Sequence, residues 1–124
     1  MNGSLRKETE MLREIQLGDK KVEMLASGFT TVLYNKLFKR NVSADISTAA
    51  EGDAGITIDT AMYLGFVMAK QAETPTDFAK LSKLGEIQFY KWVNEFEPMD
   101  FIEAGRDITQ LYLDQKETTS EAKN

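Results

Sequence analysis

The chain has 124 residues with 20 acidic and 15 basic side chains, a formal charge of −5, and 42% hydrophobic against 28% charged residues. This is the composition of one folded domain, too short for two independent cores, and its acidic balance argues against a non-specific grip on phosphate backbones. The chain has neither Cys nor His, which excludes Ser-His-Asp and Cys-His catalysis, zinc fingers, His-ligated zinc and any internal disulfide framework.

Residues 1–11 are polar and carry no apolar h-region, so they predict a flexible lead and no signal peptide. From Leu12 to Leu25, Ile15, Leu17, Val22 and Met24 alternate with polar residues around Gly18-Asp19. Two period-two segments about such a pair predict a hairpin with a II′-type turn, which puts Ile15 opposite Val22 and Arg13 opposite Met24. On the other surface the same register sets Gln16 against Lys21 and Glu14 against Glu23, a like-charge pair that counts against it.

Ser27 or Thr30 is the predicted cap of a helix with apolar positions Phe29, Val32, Leu33 and Leu37, cations Lys36, Lys39 and Arg40 at its end, and Asn41 as its stop. A short turn over Val42 to Ile46 and a loop over Ser47 to Gly55 follow. Ile56 to Gln71 predicts a helix apolar nearly all round, through Ala61, Met62, Tyr63, Leu64, Phe66, Val67 and Met68, which is either central to the core or shared with a partner. Its apolar run, Ala61 to Ala69, falls far short of the roughly 20 residues that cross a bilayer, so a cytoplasmic location is expected.

Pro75 ends that helix, and Thr76 or Asp77 restarts one over about Phe78 to Phe96, where Gly85 kinks or splits it. Its expected buried stripe is Phe78, Leu81, Phe89, Trp92, Val93 and Phe96. Pro98 stops it, Asp100 caps the last helix, and Phe101, Ala104, Ile108, Leu111 and Tyr112 form that helix's apolar face. The expected fold is mostly α (α+β): an N-terminal β-hairpin followed by a bundle of about four helices. One compact domain over 12–115 would lie between the lead, 1–11, and a disordered polar tail, 116–124.

The residues that carry chemistry point to no catalytic site, no cofactor and no metal. Glu95, Glu97, Asp100 and Glu103 could hold Mg²⁺ or act as an acid–base pair, but helical neighbours one or two apart do not face each other and Pro98 interrupts them. Asp45, Glu51, Asp53 and Asp59 lack EF-hand spacing, and Gly52 and Gly55 make no phosphate loop. Lys20, Lys21, Lys36, Lys39 and Arg40, interleaved with Tyr34 and Phe38, read either as a single-stranded nucleic-acid platform or as solvated helix-end charges; the acidic balance favours the second. Trp92 with Phe89, Tyr90 and Phe96 reads as core before interface, because its neighbours follow helical spacing.

Three phrases carry a resemblance. Residues 26–46, from Ala26 through Thr30, Tyr34, Lys36, Phe38 and Arg40 to Asp45-Ile46, follow a hairpin in the pattern of small residue, Thr, Tyr, aromatic, base and Asp-Ile. Ala61 to Gln71 is an apolar helix ending Met68-Ala69-Lys70, and Phe89 to Glu97 contains Trp92 and Phe96. Together, over about residues 12 to 120, these resemble the tail assembly chaperones of long-tailed, siphovirus-type phages and prophages of Gram-positive bacteria. The chain departs from the family pattern at Lys39 and Val93, where the pattern has Gly and Leu.

The resemblance implies a non-enzymatic assembly factor in the host cytoplasm, absent from the mature virion. It would bind the tape measure protein, keep it soluble, help recruit tail tube protein and self-associate as a homo-oligomer, without nucleic acid or membrane as partner. The expected contact residues are Tyr34, Leu37 and Phe38 on the first helix and Tyr63, Phe66 and Val67 on the outer side of the third segment. The alternative is a small phage regulatory or nucleic-acid-associated protein that uses the basic first helix.

Overall fold

The computed structural model describes residues 11–51 and 56–122, with side chains at 11–47 and 56–114. Strands β1 (Met11–Leu17) and β2 (Lys20–Ala26) are followed by helices α1 (Gly28–Phe38), α2 (Val42–Glu51), α3 (Ile58–Glu73), α4 (Phe78–Ser82), α5 (Glu86–Val93) and α6 (Pro98–Ala122). The architecture is the expected hairpin followed by helices, with six described helices in place of about four.

The hairpin has the predicted register: Ile15 faces Val22, Arg13 faces Met24, and Glu14 faces Glu23. Gly18 takes a φ of +68°, which glycine adopts without a Cβ penalty. The like-charge Glu14–Glu23 pair sits on the exposed surface, where water screens it. The opposite surface sends Ile15, Leu17, Met24 and Ala26 into the core.

Helix α1 starts at Ser27, whose Oγ accepts from the Phe29 N–H at 3.2 Å while Thr30 Oγ1 accepts from the Ser27 N–H at 2.9 Å. Both expected capping residues therefore act, as the two halves of one capping box. The helix ends at Lys39, in the left-handed region with φ +55°. Asn41, the expected stop, instead starts α2: its Oδ1 accepts from the Ala44 N–H at 3.0 Å. Helix α2 then continues through Ser47–Glu51, where a loop was expected, because Val42 and Ile46, one turn apart, both enter the core. Residues 52–55 of that expected loop lie outside the described residues. Leu33 is buried as expected, whereas Val32, expected on the same face, is 56% exposed and Thr30 and Tyr34 are buried in its place.

Helix α3 is the centre of the molecule, flanked by β2, α1, α5 and α6. Its Leu64, Phe66, Val67 and Met68 are fully buried and belong to the core, while Met62 and Tyr63 are half-buried. At its end Gln71, also buried, accepts from Thr30 Oγ1 at 2.6 Å and donates to Ser27 Oγ at 3.0 Å. A closed polar network thus pins α1 to α3 with its buried donors and acceptors satisfied.

Gly85 splits the expected long helix in two. Asp77 Oδ1 caps α4 through the Lys80 N–H, and the Gln88 side chain reaches back to the Gly85 N–H at the start of α5. Leu81 and Trp92 are buried, Phe89, Val93 and Phe96 are half-buried, and Phe78, expected in the stripe, lies half out against the edge of Phe29. Pro98 opens α6, in the first helical position where a missing N–H costs nothing. Asp100 sits two residues further in, and its carboxylate accepts from the Glu97 N–H at 2.9 Å, so it is the reaching-back half of a cap rather than the cap itself. Phe101, Ala104, Ile108, Leu111 and Tyr112 are buried as expected. Past Asp114, where composition predicts a tail, the backbone stays helical to Ala122. Residues 1–10 and 123–124 of the expected termini lie outside the described residues, and Met11 belongs to β1.

Candidate functional site

The six expected contact residues part into two groups. Tyr34, Phe66 and Val67 have no exposed surface. Phe66 and Val67, expected on the outer side of the third segment, instead face inward, because α3 is enclosed by the hairpin and the surrounding helices, and Tyr34, an expected contact on the first helix, turns inward to reach Asp45 on α2. Leu37, Phe38 and Tyr63 are half-buried and line one groove of about 480 Å³, together with Lys39, Arg40, Gly85, Glu86, Phe89 and Tyr90.

The groove floor is aromatic. Phe38 packs on Tyr63 with ring centroids 4.3 Å apart and meets Phe89 edge-on at 5.0 Å, and Tyr63 lies 5.5 Å from Phe89. Phe66 continues the chain beneath, 5.4 Å from Phe89 and 5.8 Å from Trp92. Edge-to-face contacts of this kind hold rings in fixed orientations, so the floor is a rigid surface. A second groove of about 200 Å³, lined by Leu33, Lys36, Leu37, Ser82 and Leu84, adjoins it at Leu37. One trough results, walled by α1 and by residues 82–90. Tyr90 on that second wall is 53% exposed.

Behind the groove the Tyr34 hydroxyl donates to Asp45 Oδ2 at 2.7 Å, and Arg40 binds both carboxylate oxygens of Asp45, at 2.9 and 3.1 Å. The Arg40 hydrogen bonds hold the Asp45 carboxyl below its ordinary range, with the Tyr34 bond adding to them and burial opposing. Burial, then the Asp45 carboxylate, pushes the Tyr34 phenol well above its ordinary value. A phenol locked in its protonated form and a carboxylate with both oxygens committed are poor acid–base catalysts near neutrality; the arrangement anchors α2 to α1.

The other candidate clusters disperse. Lys20 pairs with Glu95 at 3.4 Å, on a different groove from Lys39 and Arg40, so the basic residues that look continuous in sequence do not share one surface. Asp100 is committed to the Glu97 N–H and Asp45 to Arg40. Among the described residues, no three acidic side chains are grouped to hold a metal ion. The Glu51 side chain and Asp53, Gly52 and Gly55 lie outside the described residues. Trp92 is 6% exposed and belongs to the core. No described helix is long and apolar enough to cross a membrane.

Sequence reasoning missed the second wall of the groove. Phe89 is expected in the core stripe and Tyr90 in the aromatic group that reads as core before interface, while Leu84 has no expected place; the signal is the break at Gly85, which frees 82–90 to turn toward α1. Compared with known protein families, curated proteins and solved structures, the chain matches none.

Proposed function

We propose that this chain is a non-enzymatic tail assembly chaperone that binds the long, helix-rich tape measure protein of a siphovirus-type phage or prophage, keeps it soluble in the host cytoplasm and helps recruit tail tube subunits. The observation that carries this reading is the trough between α1 and residues 82–90: an open surface of mixed polar and apolar lining over an aromatic floor. Open grooves with apolar side chains at the floor and charged side chains beside them suit amphipathic helical partners. The left-handed backbone at Lys39 adds support, because it falls where the family pattern carries Gly. Leu37, Phe38 and Tyr63 are the contact residues retained from the sequence.

Co-expression with the tape measure protein of the same gene cluster, followed by size-exclusion chromatography with light scattering, tests the reading. A tape measure protein that is insoluble alone and co-elutes with this chain supports it, and the same run reports self-association. A partner that stays insoluble beside this chain overturns it.

A further inference from the structure

The two walls of the trough differ in charge from the rest of the molecule. Lys36, Lys39 and Arg40 line the trough against one acid, Glu86, in a chain where acids outnumber bases 20 to 15. Arg40 is neutralised by Asp45. Lys36 and Lys39, which line the trough itself, are exposed and take part in no ion pair among the described residues.

We propose that the trough is a docking site for an amphipathic helix whose apolar stripe is flanked by acidic residues, supplied by a partner polypeptide. The proposal deepens the chaperone reading and rests on it for the partner's identity. From Leu33 to Phe38, α1 rises about 7 Å, room for two apolar anchors one turn apart, which is the spacing a helix presents at i and i+4. Leu33, Leu37 and Leu84 provide the aliphatic sockets. Lys36 and Lys39 stand beside them, where the charges flanking a docked stripe would fall. A single-stranded nucleic acid, the other polyanion such a surface suggests, needs ring faces open for stacking. Here Phe38, Tyr63 and Phe89 are half-buried and packed on one another, which leaves Tyr90 as the one exposed ring among the lining residues, too few for a run of stacked bases, so the surface favours an acidic helix.

The test uses the full chain and fluorescent designed helices of about 18 residues, long enough to hold a helical face. One has a Leu stripe flanked by Glu, and the other has the same stripe flanked by Lys. Fluorescence anisotropy at physiological salt is expected to show saturable binding of the Glu-flanked helix, about tenfold or more tighter than its Lys-flanked counterpart. Tyr90→Glu, at an exposed position, should weaken it about tenfold, and the Lys36→Glu/Lys39→Glu pair should reverse the preference. Three results overturn the proposal: neither helix binds, both bind alike, or the preference survives the charge reversal. Oligo-dT displacing the helix would assign the trough to nucleic acid, and a dimer in light scattering that Tyr90→Glu dissolves would assign it to a second copy; each overturns the proposal too. The designed helices contain no tape measure sequence, so their failure condemns the trough as a helix site, whereas failure of co-expression alone condemns the partner's identity.

Discussion

The Thr30 hydroxyl donates to Gln71 Oε1 at 2.6 Å with both side chains buried, tying the first turn of α1 to the last turn of α3. Thr30→Val leaves the Gln71 oxygen and the Ser27 N–H without their partner, an exposure of buried polar groups worth roughly 1–3 kcal/mol. At about 4 °C per kcal/mol for a domain of this size, Tm should fall by about 4–12 °C. Thr30→Val with Gln71→Leu should cost less than the two singles summed, because the stranded groups leave together. Strict additivity in a double-mutant cycle would contradict the network.

Gly18 combines a positive φ with the closest approach among the described glycines: a Cβ placed there would stand 2.6 Å from Asp100 Oδ2. Gly18→Ala therefore strains the turn and displaces the carboxylate that holds the Glu97 N–H. A loss of roughly 2 kcal/mol is expected in urea denaturation. An alanine variant as stable as the parent would show that the hairpin turn does not seat on α6.

Lys39 has the opposite sign. A non-glycine residue at φ +55° ends α1, so Lys39→Gly relieves strain and should raise stability by roughly 0.5–1 kcal/mol. A lowered Tm would contradict the left-handed cap.

Asp45 and Tyr34 give stability a pH dependence at both extremes. The Asp45 carboxyl lies below its ordinary value in the folded state, so its contribution is present above about pH 4 and is lost as pH falls through the folded value. The Tyr34 phenol lies above its ordinary value, so its contribution is full below about pH 10 and is lost as pH rises further. Tm against pH should fall off at both ends, with Asp45→Asn flattening the acid limb and Tyr34→Phe the alkaline one. Unchanged limbs in both variants would refute the assignment.

Two aromatic residues whose sequence readings the structure reverses separate in their effects: Phe66, an expected contact residue, is buried, and Tyr90, grouped with Trp92 as core before interface, is exposed. Phe66→Ala opens the core and should cost roughly 3–5 kcal/mol, while Tyr90→Ala, on a half-exposed ring, should stay within about 1 kcal/mol. Circular dichroism melts of the pair check this; equal losses would mean that Tyr90 is structural.

The hairpin was legible because alternation and Gly18-Asp19 together admit one register, and Gly85 announced the split between α4 and α5. Helix α2 was not, since Ser47 to Ala50 are small residues with no apolar period; Val42 and Ile46, one turn apart, were the available signal. Tyr34 was misplaced for the same reason: its hydroxyl is satisfied by Asp45, on the helix that was missed. Phe66 and Val67 show a different limit, because a helix apolar all round does not say whether its own chain or another surrounds it. The trough was half legible, since Leu37, Phe38 and Tyr63 were named but the opposing wall at Leu84, Phe89 and Tyr90 is brought to them only by tertiary packing.

Co-expressing the tape measure protein with the parent chain and with Tyr90→Glu in parallel, and measuring the soluble partner that co-purifies, tests whether the trough holds a long helical partner. A soluble complex with the parent, lost with a Tyr90→Glu chain that retains its circular dichroism melt, is the expected result. A partner that stays insoluble with the parent, or one that co-purifies equally with both, would contradict it.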